Sequence, residues 1–358
     1  MRKYIVFSVL VLLCMSSLVR AEAELNLWTW EGYAPDELVK LFEEETGMTV
    51  NITYYSNNNE LISKLRAAKG RGVDLVQPSV TLIPQAMDYD LYQPLDLEKI
   101  PNLKNVYPSV MKASKTLGGE IDGETYGIPF SWGTSGLMYN TERVSEAIDS
   151  YGALFDDNYA GKVTYRATLH TFISAGLYLG LGNRMRDIYK DEETARPILD
   201  EILAFLIEKK GLVKTYWTSR QENIDLFVQE AAYIGQGWDG TGWLLAQEGY
   251  PVKFVAPKEG ALTWFDTFAL PKGAENLDAA YAWMNFMLRD EIAGKFSDLS
   301  GFTSAIQKSV DYISPERTKL VKETFPKEPV ENLWLYGIER TWWTNMMNEY
   351  IEKLKLAE

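Results

Sequence analysis

The chain has one cysteine, Cys14, and one histidine, His170, in 358 residues. That scarcity excludes much chemistry. Zinc clusters and thiol catalysis need Cys and His in groups. A Ser-His-Asp triad would have to use His170, and no Gly-x-Ser-x-Gly elbow is present. The Gly-x4-Gly-Lys-Ser/Thr phosphate loop is also missing. No metal or cofactor is expected. Long apolar runs are few. The run at 4–15 is short of the roughly 20 residues a membrane helix needs. Basic residues are outnumbered, 36 to 50. This argues against nucleic-acid partners and anionic membrane surfaces, and is compatible with a cationic ligand.

The amino-terminal end reads as a secretory signal peptide over 1–23. Arg2 and Lys3 form its charged start, and Val19-Arg20-Ala21 or Ala21-Glu22-Ala23 fits the small-residue cleavage rule. Cys14 follows Leu13, so lipid attachment is not expected. Cleavage after Ala21 would remove Arg2, Lys3 and Arg20, leaving 33 basic against 50 acidic residues, a net charge of −17. The mature chain, free of disulfides, must be held by its core. Its length suits two lobes, and no low-complexity linker separates them, so the chain is expected to cross between lobes more than once.

What is present begins with Trp28-Thr29-Trp30-Glu31-Gly32-Tyr33. Three aromatics and a carboxylate lie where a first strand should end. Aromatic faces attract an organic cation and cover its methylenes, while a carboxylate pairs with its charge. Open α/β sheets bind ligands at the carboxyl ends of their strands. The duller reading is a strand end with core aromatics and Glu31 in solvent. Around this segment the periodicity alternates: a strand at 25–30, a helix opened by Pro35-Asp36 and ended by Gly47, a strand at 50–54, a helix capped by Asn58, and a strand at 74–77. A β-α-β-α-β run implies a parallel sheet flanked by helices. Further strands are expected at 126–132 and 136–139 around Gly133-Thr134-Ser135, and at 162–165, 232–237, 252–256 and 263–270. Helices are expected at 187–210, 277–288 and 334–356. Trp342 and Trp343 read as packing residues on the last helix. Trp217 and Trp243 read equally well as core or cleft.

An ordered set of segments then carries a resemblance. Trp30-Glu31-Gly32-Tyr33, Asp74-Leu75-Val76-Gln77-Pro78-Ser79, Gly127-Ile128-Pro129-Phe130-Ser131-Trp132-Gly133, Pro257-Lys258-Glu259-Gly260 and Trp264-Phe265-Asp266 occur in that order. The spacing resembles the bacterial periplasmic spermidine/putrescine-binding proteins, from about Leu25 to the carboxyl terminus. The resemblance implies a two-lobed α/β periplasmic-binding-protein fold (type II-like), each lobe a mostly parallel sheet with helices on its faces, and a ligand closed between the lobes. Carried onto this chain, one lobe is 24–132 plus 260–308 and the other 136–258 plus 313–358, with hinges near 133–135, 259–261 and 309–312.

The same resemblance implies the site. Trp30 and Tyr33 match an aromatic pair after the first strand, Ser79 a polar position after the third. Trp238 and Trp264 match rings that stack on the ligand's methylenes, Asp266 the carboxylate that pairs with an amine, and Phe302 a position usually held by tyrosine. Trp132 either lines the cleft or supports a hinge. Two departures stand out. The family's acid precedes the tyrosine, where this chain has Gly32 and its Glu31 is one residue away. The acids that usually follow the strand ending at Tyr165 are replaced by Arg166, Ala167, Thr168 and His170, and Asp239 is a candidate for the missing charge. The resemblance implies a non-enzymatic, monomeric periplasmic protein that captures a linear polyamine (spermidine, norspermidine or putrescine). It would present that ligand to an ABC permease or to a membrane signalling receptor. A zwitterionic or anionic amine compound held by Arg166 or Arg220 is the alternative on the same fold. A carboxylate-pair hydrolase using Glu31 and Asp266 is a third possibility, with nothing to select a reaction.

Overall fold

The computed structural model describes residues 23–229, 231–324 and 333–357. The expected signal peptide, apart from Ala23, lies outside the described residues. Among these, no helix is long and apolar enough to cross a membrane.

The first alternating run folds as its periodicity demands. In β1 (Glu24–Trp30), Leu25 and Leu27 point into the core and are fully buried. Helix α1 (Asp36–Thr46) carries Asp36 and Glu37 in its first turn, where the helix dipole favours negative charge. It buries Leu38 and Phe42, and Gly47 closes it at φ +69°, a conformation that costs glycine little. Strand β2 (Thr49–Tyr55) and strand β3 (Leu75–Val76) both pair parallel to β1, giving the order β2-β1-β3. Helix α2 (Asn58–Ala68) is capped by Asn57, whose side chain accepts from the Glu60 amide. The cap is thus one residue earlier than Asn58. That leaves the Asn58 amide to bond both the backbone N–H and the hydroxyl of Ser79, each at 3.1 Å.

The larger sheet has eight strands. Its axis is the strand Ile128–Asn140, which is continuous through Gly133-Thr134-Ser135. Two strands were expected here because glycine and hydroxyl residues punctuate the run. They stay extended because both neighbours pair with them: Gly133, Thr134 and Ser135 face Trp264, Thr263 and Leu262, and Ser135 also faces Trp238. The first half of this strand runs antiparallel to Ala261–Phe268, the second half antiparallel to Ile234–Trp238 and Val252–Val255. Beyond Ile234–Trp238 lie Val163–Arg166 and then Val213–Trp217, each parallel to its neighbour. The parallel sheets are therefore joined by an antiparallel crossing pair, and the whole is a two-lobed α/β fold.

The carboxyl-terminal region differs from the single helix expected at 334–356. Leu333–Leu335 forms a strand parallel to Ala261–Thr263, and the helix begins at Thr341. A helical run through Gly337 would ignore a close approach: a Cβ there would meet the Tyr189 ring at 2.4 Å. The irregular stretch between strand and helix carries Tyr336 and Glu339 toward the centre of the molecule. Trp343 is fully buried on the helix that follows.

Candidate functional site

A cleft of about 640 Å³ opens where the strands β1, β2, β3, Val163–Arg166 and Ile234–Trp238 end at their carboxyl termini. It falls within the roughly 300–1,000 Å³ typical of small-molecule sites. Of the residues singled out from the sequence, Trp30, Glu31, Tyr33, Ser79, Trp238, Trp264, Asp266 and Phe302 line it. Trp132 and Asp239 do not.

The turn after β1 builds one wall. The Tyr33 amide donates to the Trp30 carbonyl at 3.1 Å, and Gly32 sits at φ +87°, which a type II turn requires at its third position. The turn points Tyr33 inward, 2 % exposed, and leaves Glu31 exposed while it still lines the cleft. The space beside Gly32 is taken: a Cβ there would lie 2.3 Å from Arg220 Nη1. Arg220 stacks over the Phe302 ring at 4.8 Å and donates to the Ser300 carbonyl at 2.8 Å and to Thr241 Oγ1. A guanidinium thus occupies the place where an acid at position 32 would point. Trp30 is fixed by a 2.8 Å bond from Nε1 to the Gln77 carbonyl and packs on Tyr55.

Asp266 lies on the crossing strand Ala261–Phe268 and is 4 % exposed. Its two oxygens accept from different hydroxyls: Tyr33 at 2.5 Å and Ser79 at 2.6 Å. Burial pushes its carboxyl up to about 6, against the pull of those two donors and of Arg166. Burial and the adjacent carboxylate raise the Tyr33 phenol well above its usual range, so it remains a donor. Two residues earlier on the same strand, Trp264 stands edge-on to Phe302 with ring centroids 5.7 Å apart. Its benzo edge leaves no room for a side chain at Gly133, where a Cβ would meet it at 2.5 Å.

Arg166 and Glu339 also bring ionisable groups to the cleft, the first a departure already visible in the sequence and the second not. Arg166 ends its strand 6 % exposed, its guanidinium 4.3 Å above the Trp238 ring and 5.6 Å from Trp217. Its Nη1 lies 2.8 Å from His170 Nε2, and His170 Nδ1 lies 2.7 Å from Thr168 Oγ1. The same Nη1 lies 3.2 Å from Nδ1, and because an arginine only donates, the imidazole meets it as an acceptor. Burial, with Arg166 beside it, holds His170 well below the usual histidine range, so the ring is neutral. Glu339 accepts from Thr81 Oγ1 at 3.1 Å, and burial pushes it up to about 7. Glu339 was missed because 334–356 read as one helix. The glycine at 337 was the available sign of a break.

Asp239 has another task. It begins the helix Asp239–Gln247 and turns back onto the crossing strand, accepting from the Thr134 amide at 2.8 Å and the Thr134 hydroxyl at 3.0 Å. It is 1 % exposed, and burial pushes it up to about 6. Trp132 packs against two hydrophobic clusters. Trp217 and Trp243 are buried, the first edge-on behind Trp238 and the second under Arg317.

Chemically, the cleft is a concave aromatic site with buried, hydroxyl-bonded carboxylates. Such a site suits an organic cation. Among the described residues, no group of three or more His, Cys, Asp or Glu is placed to hold a metal.

Comparisons with known proteins agree on the kind of molecule. The profile of the bacterial extracellular solute-binding proteins matches residues 37–324. The putrescine-binding periplasmic protein SpuD of Pseudomonas aeruginosa is 30 % identical over 324 residues, covering 85 % of this chain and 82 % of its own. The putrescine-binding periplasmic protein PotF of Escherichia coli is 27 % identical over 331 residues, covering 87 % and 86 %. Among solved structures, the spermidine/putrescine substrate-binding protein PotD of Streptococcus pneumoniae superimposes with a TM-score of 0.74 at 25 % identity, over 93 % of this chain and 99 % of that one. With fold, cleft and relatives in agreement, the chain belongs to the bacterial extracellular solute-binding protein family.

Proposed function

We propose that this protein is a non-enzymatic periplasmic receptor for a linear polyamine of the putrescine, spermidine or norspermidine type, exported by a cleaved signal peptide. The observation that carries the reading is Asp266. It is a buried carboxylate whose two oxygens are held by Tyr33 and Ser79 beside the Trp264 ring. An ammonium group meets it by a charge-assisted bond, and the neighbouring rings cover the methylenes. Trp30, Glu31, Tyr33, Ser79, Trp264, Asp266 and Phe302 are the ligand contacts, together with the part of the Trp238 ring that Arg166 leaves uncovered. The names of SpuD and PotF point to the same ligand class. Closure is proposed to bend the crossing segments near 133–135 and 259–261, and near 309–312. The closed form is what a permease or a membrane signalling receptor reads.

Calorimetric titration with a panel of di- and triamines tests this reading. The expected result is saturable binding of at least one linear amine, weakened at least tenfold in Asp266→Ala, about the loss of one hydrogen bond to a charged group. Heat with none of them would sink it. A second reading is favoured by one observation, the buried Arg166 facing the cleft: an amine compound that also carries a carboxylate. Binding of such a zwitterion, with no binding of any polyamine, would select it.

A further inference from the structure

Two arginines line a cleft proposed to receive a cation, and they are not alike. Arg220 is committed to Thr241, to the Ser300 carbonyl and to the space beside Gly32. Arg166 has no carboxylate within ion-pair distance among the described residues, and its buried Nε meets no acceptor. Its one side-chain hydrogen-bond partner is the neutral His170. A buried charge left in this state is costly unless neighbouring groups compensate it. Here the compensation is at longer range: Asp266 and Glu339 line the same cleft, and each feels the guanidinium, which holds its carboxyl lower than burial alone would. The guanidinium also covers the Trp238 ring, a face on which a ligand cation would stack.

We infer that Arg166 is a specificity-determining residue, a resident cation that covers the Trp238 face and limits how many ammonium groups a ligand can bring into the cleft. This rests on the polyamine reading above. The acidic and basic side chains lining the cleft are Glu31, Asp266 and Glu339 against Arg166 and Arg220, with His170 neutral and the tyrosines there protonated. Ionised, they sum to one negative charge, and to two without Arg166. Repulsion by a fixed positive charge grows with ligand charge. Removing it therefore favours a triamine over a diamine, and the neutral His170 is held ready to accept the Arg166 donor while contributing no charge of its own.

The test compares Arg166→Met and Arg166→Lys with the unaltered protein, titrated with putrescine and spermidine in low salt. Arg166→Met is expected to raise the spermidine-to-putrescine affinity ratio about tenfold, the size of one poorly screened charge interaction. Arg166→Lys keeps the charge and should leave the ratio within about twofold on the same argument. An equal change for both amines in Arg166→Met overturns the inference. So does loss of binding restored by Arg166→Lys, which would show that the arginine holds an acidic ligand group. If the unaltered protein binds neither amine, it is the polyamine reading that fails. If Arg166→Met does not fold, Glu339→Gln, titrated about one pH unit above the Glu339 value of about 7 so that the wild-type carboxyl is ionised, shifts the cleft charge the other way and must lower the ratio; an unchanged ratio there overturns the inference equally.

Discussion

Asp266 concentrates the energetics of the cleft in one carboxylate. A hydrogen bond to a charged group contributes about 1.5–3 kcal/mol, so Asp266→Ala should weaken amine binding by roughly 10- to 150-fold, read by calorimetry. The pH dependence follows from where its carboxyl sits. With Asp266 raised to about 6 and Glu339 to about 7, both carry protons part of the time in the free protein below neutrality. An ammonium ligand binds the ionised forms and expels those protons. Affinity should therefore fall as pH drops from 8 toward 5, with net proton release at pH 6.5, measured by titration in buffers of different ionisation heat. Proton uptake on binding would contradict the assignment. Gly133 gives a third check at this scale. Gly133→Ala places a methyl against the Trp264 ring. The ring must shift, so amine affinity should drop about tenfold, as expected for one lost cation–π contact of 0.5–2 kcal/mol.

The elements explain what was legible in the sequence. The opening β-α-β-α-β run was readable because each piece carries its own signal: alternation in β1, the Leu38/Phe42 face of α1, Gly47 at its end. Trp30 and Tyr33 were readable because they stand at the end of β1 and in the turn after it, whereas Trp264 and Asp266, inside the strand Ala261–Phe268, were carried by the family resemblance. The strand Ile128–Asn140 was not readable as one piece, because its continuity depends on two partners distant in the chain. The place of Asp239 was hidden for the same reason. Beside Trp238 it looks like a ligand residue, but the first turn of its helix swings its carboxylate onto Thr134. Asp239→Ala should therefore act on stability more than on ligand recognition. It strips a buried amide and a hydroxyl of their acceptor, at a cost of about 1–3 kcal/mol. Urea denaturation reads that loss, and amine affinity should fall less than in Asp266→Ala. The reverse order would return Asp239 to the ligand.

At the scale of the molecule, the cleft lies between lobes whose sheets meet at the crossing strands, and its walls come from segments scattered over most of the chain. Residues from the turn after β1 and from the linker before the last helix face the same space. A ligand that bridges them stabilises the closed arrangement by mass action. At a hundredfold excess over its dissociation constant the gain is about 2.7 kcal/mol, so a cognate polyamine should raise the melting temperature by several degrees, and a noncognate amine should not. A crystal structure of the protein grown with a cognate polyamine is the decisive measurement of where the ligand sits. The expected structure has an amino nitrogen within about 3 Å of the Asp266 carboxylate, with the ligand's methylenes against Trp264. A ligand placed with an acidic group on Arg166 and no nitrogen near Asp266 would contradict it.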